Sequence, residues 1–229
     1  MLRLFGEMER RKIPATSGER DQVIQVLFSR QFWMPAFALW VQDPALADVR
    51  AFANVFNGDF ERELGARVGF DWELTNPGSA LVAIDPGTGE GQSLRIEFLG
   101  IASADALVRH RLLVGPGRYK LQARVRTDGQ QSDHGPVMVM TCMDPRVTAP
   151  LATFDLGGER GSVPGWRVRT TGVEIPGENC AAQLLEVRQR PAEGPAAARG
   201  GAVWLDDVTL VRDTPSQPVA DRTGGDSDG

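Results

Sequence analysis

RYKLQARVRTDG, residues 118–129, sets Tyr119, Leu121, Ala123 and Val125 against Lys120, Gln122, Arg124 and Arg126. Alternation this strict puts one set on each side of an extended chain, so the stretch reads as a β-strand with one face in a core. The turn GPG (Gly115–Gly117) precedes it, and LVRHRLLV (Leu107–Val114) runs up to that turn. Further out, SLRIEFLG (Ser93–Gly100) alternates Leu94, Ile96 and Phe98 with Arg95 and Glu97. PVMVMTC (Pro136–Cys142), TGVEIP (Thr171–Pro176), AAQLLEVRQ (Ala181–Gln189) and AVWLDDVTLVR (Ala202–Arg212) continue the series. Short strands separated by Gly, Pro and Asp, with no helical pattern between them, predict an antiparallel β-sandwich or jelly roll.

The period changes before residue 52. SGERDQVIQVLFSRQ brings Val23, Ile24, Leu27 and Phe28 round at helical spacing, with Ser17 as the expected N-cap. QFWMPAFALWVQD follows, with Phe32, Ala36, Leu39 and Trp40 on one side and Pro35 tolerable in a first turn. Two helices this short and apolar cannot bury their faces alone. They read either as the last hairpin of an α-solenoid or as a cover for the sandwich. The fold class expected is therefore mainly β: a β-sandwich (jelly roll) preceded by a short α-helical hairpin. The divisions are 1–51 helical, 52–212 sandwich and 213–229 a polar, disordered tail.

A hydrophobic content of 41% supports a sizeable core, and a net charge of −5 gives no global reason to expect nucleic acid or an acidic membrane as partner. Arginine outnumbers lysine by 23 to two (Lys12 and Lys120), which with abundant Ala and Gly suggests a GC-rich bacterial genome. No apolar run of about 18 residues exists to span a membrane. The start, MLRLFGEMERRKIP, has too short an apolar stretch for a signal peptide. The chain thus reads as cytoplasmic, or as part of a longer exported one that works in the periplasm or outside the cell. Cys142 and Cys180 are too far apart for a CxxC motif. They are either a disulfide between neighbouring strands or two buried thiols.

Three blocks together resemble a known family. NGDFE (Asn57–Glu61), SLRIEF with PGRYKLQARVRT (Pro116–Thr127), and VWLDDVTL (Val203–Leu210) are similar to the jelly-roll carbohydrate-binding modules of families four and nine, within the galactose-binding-like superfold. The resemblance covers about Phe56 to Arg212. It implies an opening N-G-x-F-E strand beside a closing D-D-V strand, with Asn57-Gly58 turning the chain, Phe60 in the core and Trp72 packed on it. It also implies a structural calcium held by Asp59 or Glu61, a backbone carbonyl near Gly91, and Asp207, an oxygen-rich set that suits this ion. The bland alternative has Asp206 and Asp207 capping the strand end and pairing with arginines. The hairpin resembles the C-terminal arrangement of bacterial tetratricopeptide proteins linked to envelope or exopolysaccharide systems.

Sugar recognition by stacking needs exposed rings. Trp166 and Trp204 sit in contexts that bury them, which leaves Trp72 as the one sandwich tryptophan to weigh for a ligand against core packing. Charge is more plentiful. Arg95 and Glu97, Arg109 and Arg111, and Gln122, Arg124 and Arg126 occupy the outward phase of three strands. If those strands share one face, it would suit an acidic glycan through bidentate guanidinium contacts. Otherwise these residues form a solvated face with cross-strand Arg–Glu pairs. Catalysis has little support. His110 falls in phase with Val108 and Leu112, His134 lies in a turn, and no nucleophile elbow, HExxH or phosphate loop is present. Asp206 and Asp207, adjacent on a strand, are expected on opposite faces. The reading is a non-enzymatic module that binds glycan or another envelope protein.

Overall fold

The computed structural model describes residues 15–43, 54–64, 68–75, 77–86, 91–101, 105–130, 136–157, 161–189 and 200–213, with Gly6, Glu7, Arg10, Arg11, Leu46 and Ser103 besides. The expected tail beyond Asp213 and the turn holding His134 lie outside them.

Helix α1 (Ser17–Ser29) begins with a capping box on Thr16, one residue earlier than the sequence suggested. Thr16 takes extended backbone angles, its hydroxyl accepts the Glu19 N–H, and the Glu19 carboxylate accepts the Thr16 N–H at 2.9 Å. The Thr16 N–H and the Thr16 hydroxyl both donate to the Glu19 carboxylate and hold it below its ordinary value. Gln31, in the left-handed region at φ 58°, turns the chain into α2 (Trp33–Trp40). The buried sides of the pair, Val23, Ile24 and Leu27 with Ala36, Leu39 and Trp40, close on Phe56 and Phe70. Trp40 meets Phe56 edge-on at 5.0 Å, and Phe28 meets Phe70 at 5.4 Å. The sandwich covers the apolar face that a neighbouring helical repeat would need. Of the two readings of the hairpin, the packing is that of a cover.

Ten strands among the described residues form two antiparallel sheets. Sheet A runs β1 (Trp72–Leu74), β4 (Ala106–Leu112), β9 (Gln183–Arg188), β6 (Val137–Cys142), β7 (Ala152–Asp155). Sheet B runs β2 (Ala80–Asp85), β3 (Ser93–Phe98), β10 (Ala202–Arg212), β5 (Gly117–Gln130), β8 (Gly161–Ile175). The fold class is thus a mainly-β, jelly-roll-like antiparallel sandwich behind a two-helix hairpin. The inward phase of the quoted strand, Tyr119, Leu121, Ala123 and Val125, joins Leu94, Ile96, Val203, Leu205, Met138 and Leu185 in one core. The sequence alone did not mark three short strands, β1, β2 and β7, nor the part of β8 before Thr171.

The opening NGDFE block is not a strand. Asn57 and Phe60 have positive φ, 51° and 54°, which breaks an extended run. The block still lies beside the closing strand, since Val208 N–H donates to the Gly58 carbonyl at 2.8 Å. Gly58 itself does not supply the positive φ. It is required because a Cβ there would stand 2.0 Å from the Val208 carbonyl oxygen. Asn57 makes the turn, with its side chain bonded both to the Arg62 N–H and to the Arg62 carbonyl. Gly58→Ala is therefore expected to destabilise by about 2 kcal/mol, as forced overpacking against backbone does. Urea unfolding checks it, and a loss under about 0.5 kcal/mol, within the scatter of surface substitutions, would mean the loop simply yields.

Candidate functional site

The outward phase of sheet B is built by register. Trp204 on β10 lies directly opposite Arg95 on β3 and Arg126 on β5. The Arg126 guanidinium sits 4.2 Å from the Trp204 ring and 5.5 Å from Trp166 on β8, while Arg95 stands 5.6 Å from Trp204. The Trp204 indole N–H donates to the Asp85 carboxylate at 2.7 Å, which pins the ring from β2. The result is a row, Arg95–Trp204–Arg126–Trp166, crossing four strands with alternate cations and rings. Each cation–π contact of this sort is worth about 0.5–2 kcal/mol. Trp204 is only 8% exposed, but arginine covers it rather than the core. Trp166 is half-buried. The sequence reading buried Trp204, although its position between Val203 and Leu205, both inward, marks the outward phase. Its typical burial outweighed that phase.

The arginines of this face differ in what they hold. Arg95 pairs with Glu97 at 2.8 Å. Arg124, 5.1 Å from the Trp166 ring, reaches Asp207 at 3.2 Å and Asp206 at 3.5 Å. Arg126 has no carboxylate partner among the described residues; its guanidinium keeps only the two indoles. Gln122, half-buried on the same face, lies opposite Thr209 and Thr170.

Asp206 and Asp207 do not point to opposite faces. The register of β10 shifts between Asp206 and Thr209, and Asp207 takes φ 49°, so this bulge sets both carboxylates beside Arg124. Burial, then the charges of Asp207 and Glu61, raise the Asp206 carboxyl above its ordinary value, against the pull of the Asp207 N–H and Arg124. Around this corner lie the residues that the resemblance implies for calcium. Glu61 accepts the Gln92 N–H at 2.7 Å and fills the space beside Gly91, where a Cβ would stand 2.0 Å from its oxygen. Asp59 is exposed and accepts the Glu61 N–H at 3.4 Å. As placed, these oxygens serve N–H groups and a guanidinium. Among the described residues no three His, Cys, Asp or Glu side chains gather in a way that could hold a metal.

The other two outward arginines lie elsewhere, because β4 belongs to sheet A. The three strands therefore do not share a face. Arg109 pairs with Glu186 at 2.9 Å, and Arg111 bonds the Glu73 carboxylate with its guanidinium 4.8 Å from Phe28 of the hairpin. The hairpin thus packs over Arg111. Trp72 is also no ligand residue. It is 1% exposed, packs on Phe60 at 5.1 Å and donates its indole N–H to the Asn57 carbonyl at 2.9 Å. Its other neighbour is His110, 4.7 Å away and fully buried, whose Nε2 lies 3.0 Å from the Phe56 carbonyl. Burial pushes the His110 pKa down to about 4. Cys142 and Cys180 form a disulfide with Cα atoms 5.0 Å apart, tying the end of β6 to the loop before β9.

No protein-family profile and no curated protein matches the chain. Several solved structures are similar in shape. A family-four carbohydrate-binding module is 15% identical, with 69% of this chain aligned to 99% of that one at a TM-score of 0.47. A candidate sugar-binding protein from Bacteroides thetaiotaomicron is 13% identical, with coverage of 71% and 100% and a TM-score of 0.49. The xylan-binding family-22 module of a Paenibacillus barcinonensis protein is 13% identical, with coverage of 68% and 98% and a TM-score of 0.43. At these scores the fold assignment rests on the strand order and register above.

Proposed function

We propose that the chain is a non-catalytic glycan-binding module that takes an acidic polysaccharide on the outer face of sheet B. The observation that carries this reading is Arg126, a guanidinium held between Trp204 and Trp166 with no carboxylate partner among the described residues. A guanidinium so placed has rigid, directed N–H donors left for a planar carboxylate. The half-buried Trp166 ring beside it presents apolar surface to sugar C–H groups. Glu97, Asp206 and Asp207, already paired, hold Arg95 and Arg124 in place around that centre.

The disulfide supports a role outside the reducing cytoplasm, in the periplasm or beyond the cell, where such bonds persist. A second reading, docking to another envelope protein, draws on Leu81, Val168 and Val211. These are exposed apolar side chains in the outward phase of the same sheet.

A glycan array probed with the full chain separates the two. Binding to uronic-acid polymers is expected, weakened about tenfold or more by Arg126→Ala, the scale of a lost charge-assisted hydrogen bond. Silence toward every acidic glycan, or binding that Arg126→Ala leaves intact, would sink the proposal and favour the protein partner. Run with and without chelator, the assay also addresses calcium. With Arg124 between the carboxylates, chelator is expected to change neither binding nor melting temperature.

A further inference from the structure

A cleft of about 510 Å³ opens where the hairpin meets the disulfide end of the sandwich, away from the sheet B face. That is within the size range of small-molecule sites. Its walls come from four separate segments: the α1–α2 turn and the start of α2, the β4–β5 turn, the β6–β7 loop, and the β8–β9 loop. The base is fixed. Cys180 is bonded to Cys142, and the buried Gln183 side chain clamps Val114 through its N–H at 3.0 Å and its carbonyl at 3.1 Å.

The lining has two characters. Trp33 and Met34 line it from the hairpin, and Met34 is 66% exposed, unusual for so apolar a side chain. Around them stand Gln31, Asp144, Arg146 and Asn179. Asp144 and Arg146 form a two-pronged pair, with contacts of 2.9 and 2.6 Å, which holds the Asp144 carboxyl down at about 2 and leaves the pair neutral in sum. Donor and acceptor edges therefore lie side by side with no net charge to attract an ion. Asn179, exposed and at φ 57° in the left-handed region that Asn tolerates better than most residues, lines the cleft as well. An apolar patch ringed by paired donors and acceptors fits a ligand with apolar faces and a polar perimeter.

We infer that this cleft binds the ring of a neutral sugar, with C–H groups on Trp33 and Met34 and hydroxyls on Asp144, Arg146 and Asn179. The site is separate from the acidic-glycan reading of sheet B and stands or falls without it.

Heteronuclear NMR of the labelled full chain tests it, with glucose, galactose, mannose, N-acetylglucosamine, cellobiose and lactose as probes at millimolar concentration. At least one is expected to move the Trp33 indole and Asn179 amide signals saturably. Arg146→Ala and Asn179→Gly are each expected to weaken that binding about tenfold with the melting temperature held, while Arg126→Ala leaves it unchanged. Glycine keeps the left-handed backbone at position 179, so loss of binding there cannot come from misfolding. No saturable shift with any of these sugars would overturn the inference. So would a shift that survives both variants.

Discussion

Replacing Cys142 and Cys180 together by alanine is expected to lower the unfolding free energy by about 4 kcal/mol, the chain-entropy value for a loop of this length. The bond closes 38 residues, Cys142 to Cys180, which contain β7 and the long β8. Those strands lie at the edges of opposite sheets, β7 in sheet A and β8 in sheet B. Each has one neighbouring strand in its sheet, so the crosslink restrains two edge strands that pairing holds from one side only. Without it, the unfolded chain regains the freedom of the whole segment while the folded state keeps its contacts. For a chain of this size the loss corresponds to a fall in melting temperature on the order of 10 °C. Calorimetry with and without reductant checks it: reductant lowers the midpoint of the native protein and leaves that of the double variant alone. A midpoint indifferent to reductant in the native protein would mean that the unfolded chain is already restrained over this segment without the bond. Local effects would reach the sugar cleft as well, since Cys180 lines it.

Acid is expected to weaken the fold through His110, by about 3 kcal/mol in all, from the free-energy equivalent of its pKa difference between the two states. The imidazole has a folded value of about 4 against an ordinary 6.5, chiefly because burial opposes its charge. The hydrogen bond to the Phe56 carbonyl acts against that shift, and the nearby Arg111 charge adds to it. Above pH 6.5 the ring is neutral in both states and its contribution is fully present. As pH falls toward 4 the unfolded chain takes the proton first, so stability drops across that window and levels off below it. Asp206 acts in the opposite direction, since its raised carboxyl favours the folded state as pH falls. Comparison with His110→Gln, which keeps an amide donor for the Phe56 carbonyl, isolates the histidine. Urea midpoints from pH 7 to 4 are expected to fall more steeply in the native protein, and parallel curves would show that His110 is not the acid-sensitive group. The consequence is more than local, because His110 touches Trp72 and the Phe56 carbonyl, where the hairpin joins the sandwich.

The two sites differ in how far the sequence reveals them. Arg95, Glu97, Gln122 and Arg124 stand on the face that alternation assigns them, because a strand with one side in a core leaves no choice for the other side. Trp166 was missed because a strand of which only the last turn-bounded part, TGVEIP, reads clearly extends back to Gly161 in the fold. Its earlier residues mix Pro164, Gly165 and exposed Val168, which blurs the period. The cleft was not legible at all. It depends on four segments separated by tens of residues that meet only when the hairpin docks.

By itself, the sequence sorted most residues of its clearly alternating strands into inward and outward, and it marked the hairpin as a separate apolar element. That follows from local physics: period two and period 3.6 sort side chains by face before any distant contact forms. Only the tertiary structure decided which outward faces meet. It sent β4 to sheet A and set β3, β10 and β5 side by side in sheet B, so Arg109 and Arg111 parted from Arg95, Arg124 and Arg126. It also placed the bulge at Asp207 that turned two adjacent carboxylates onto one arginine. Alternation records inside and outside but carries no label for a partner strand, and pairing between distant segments is set by how the whole core closes.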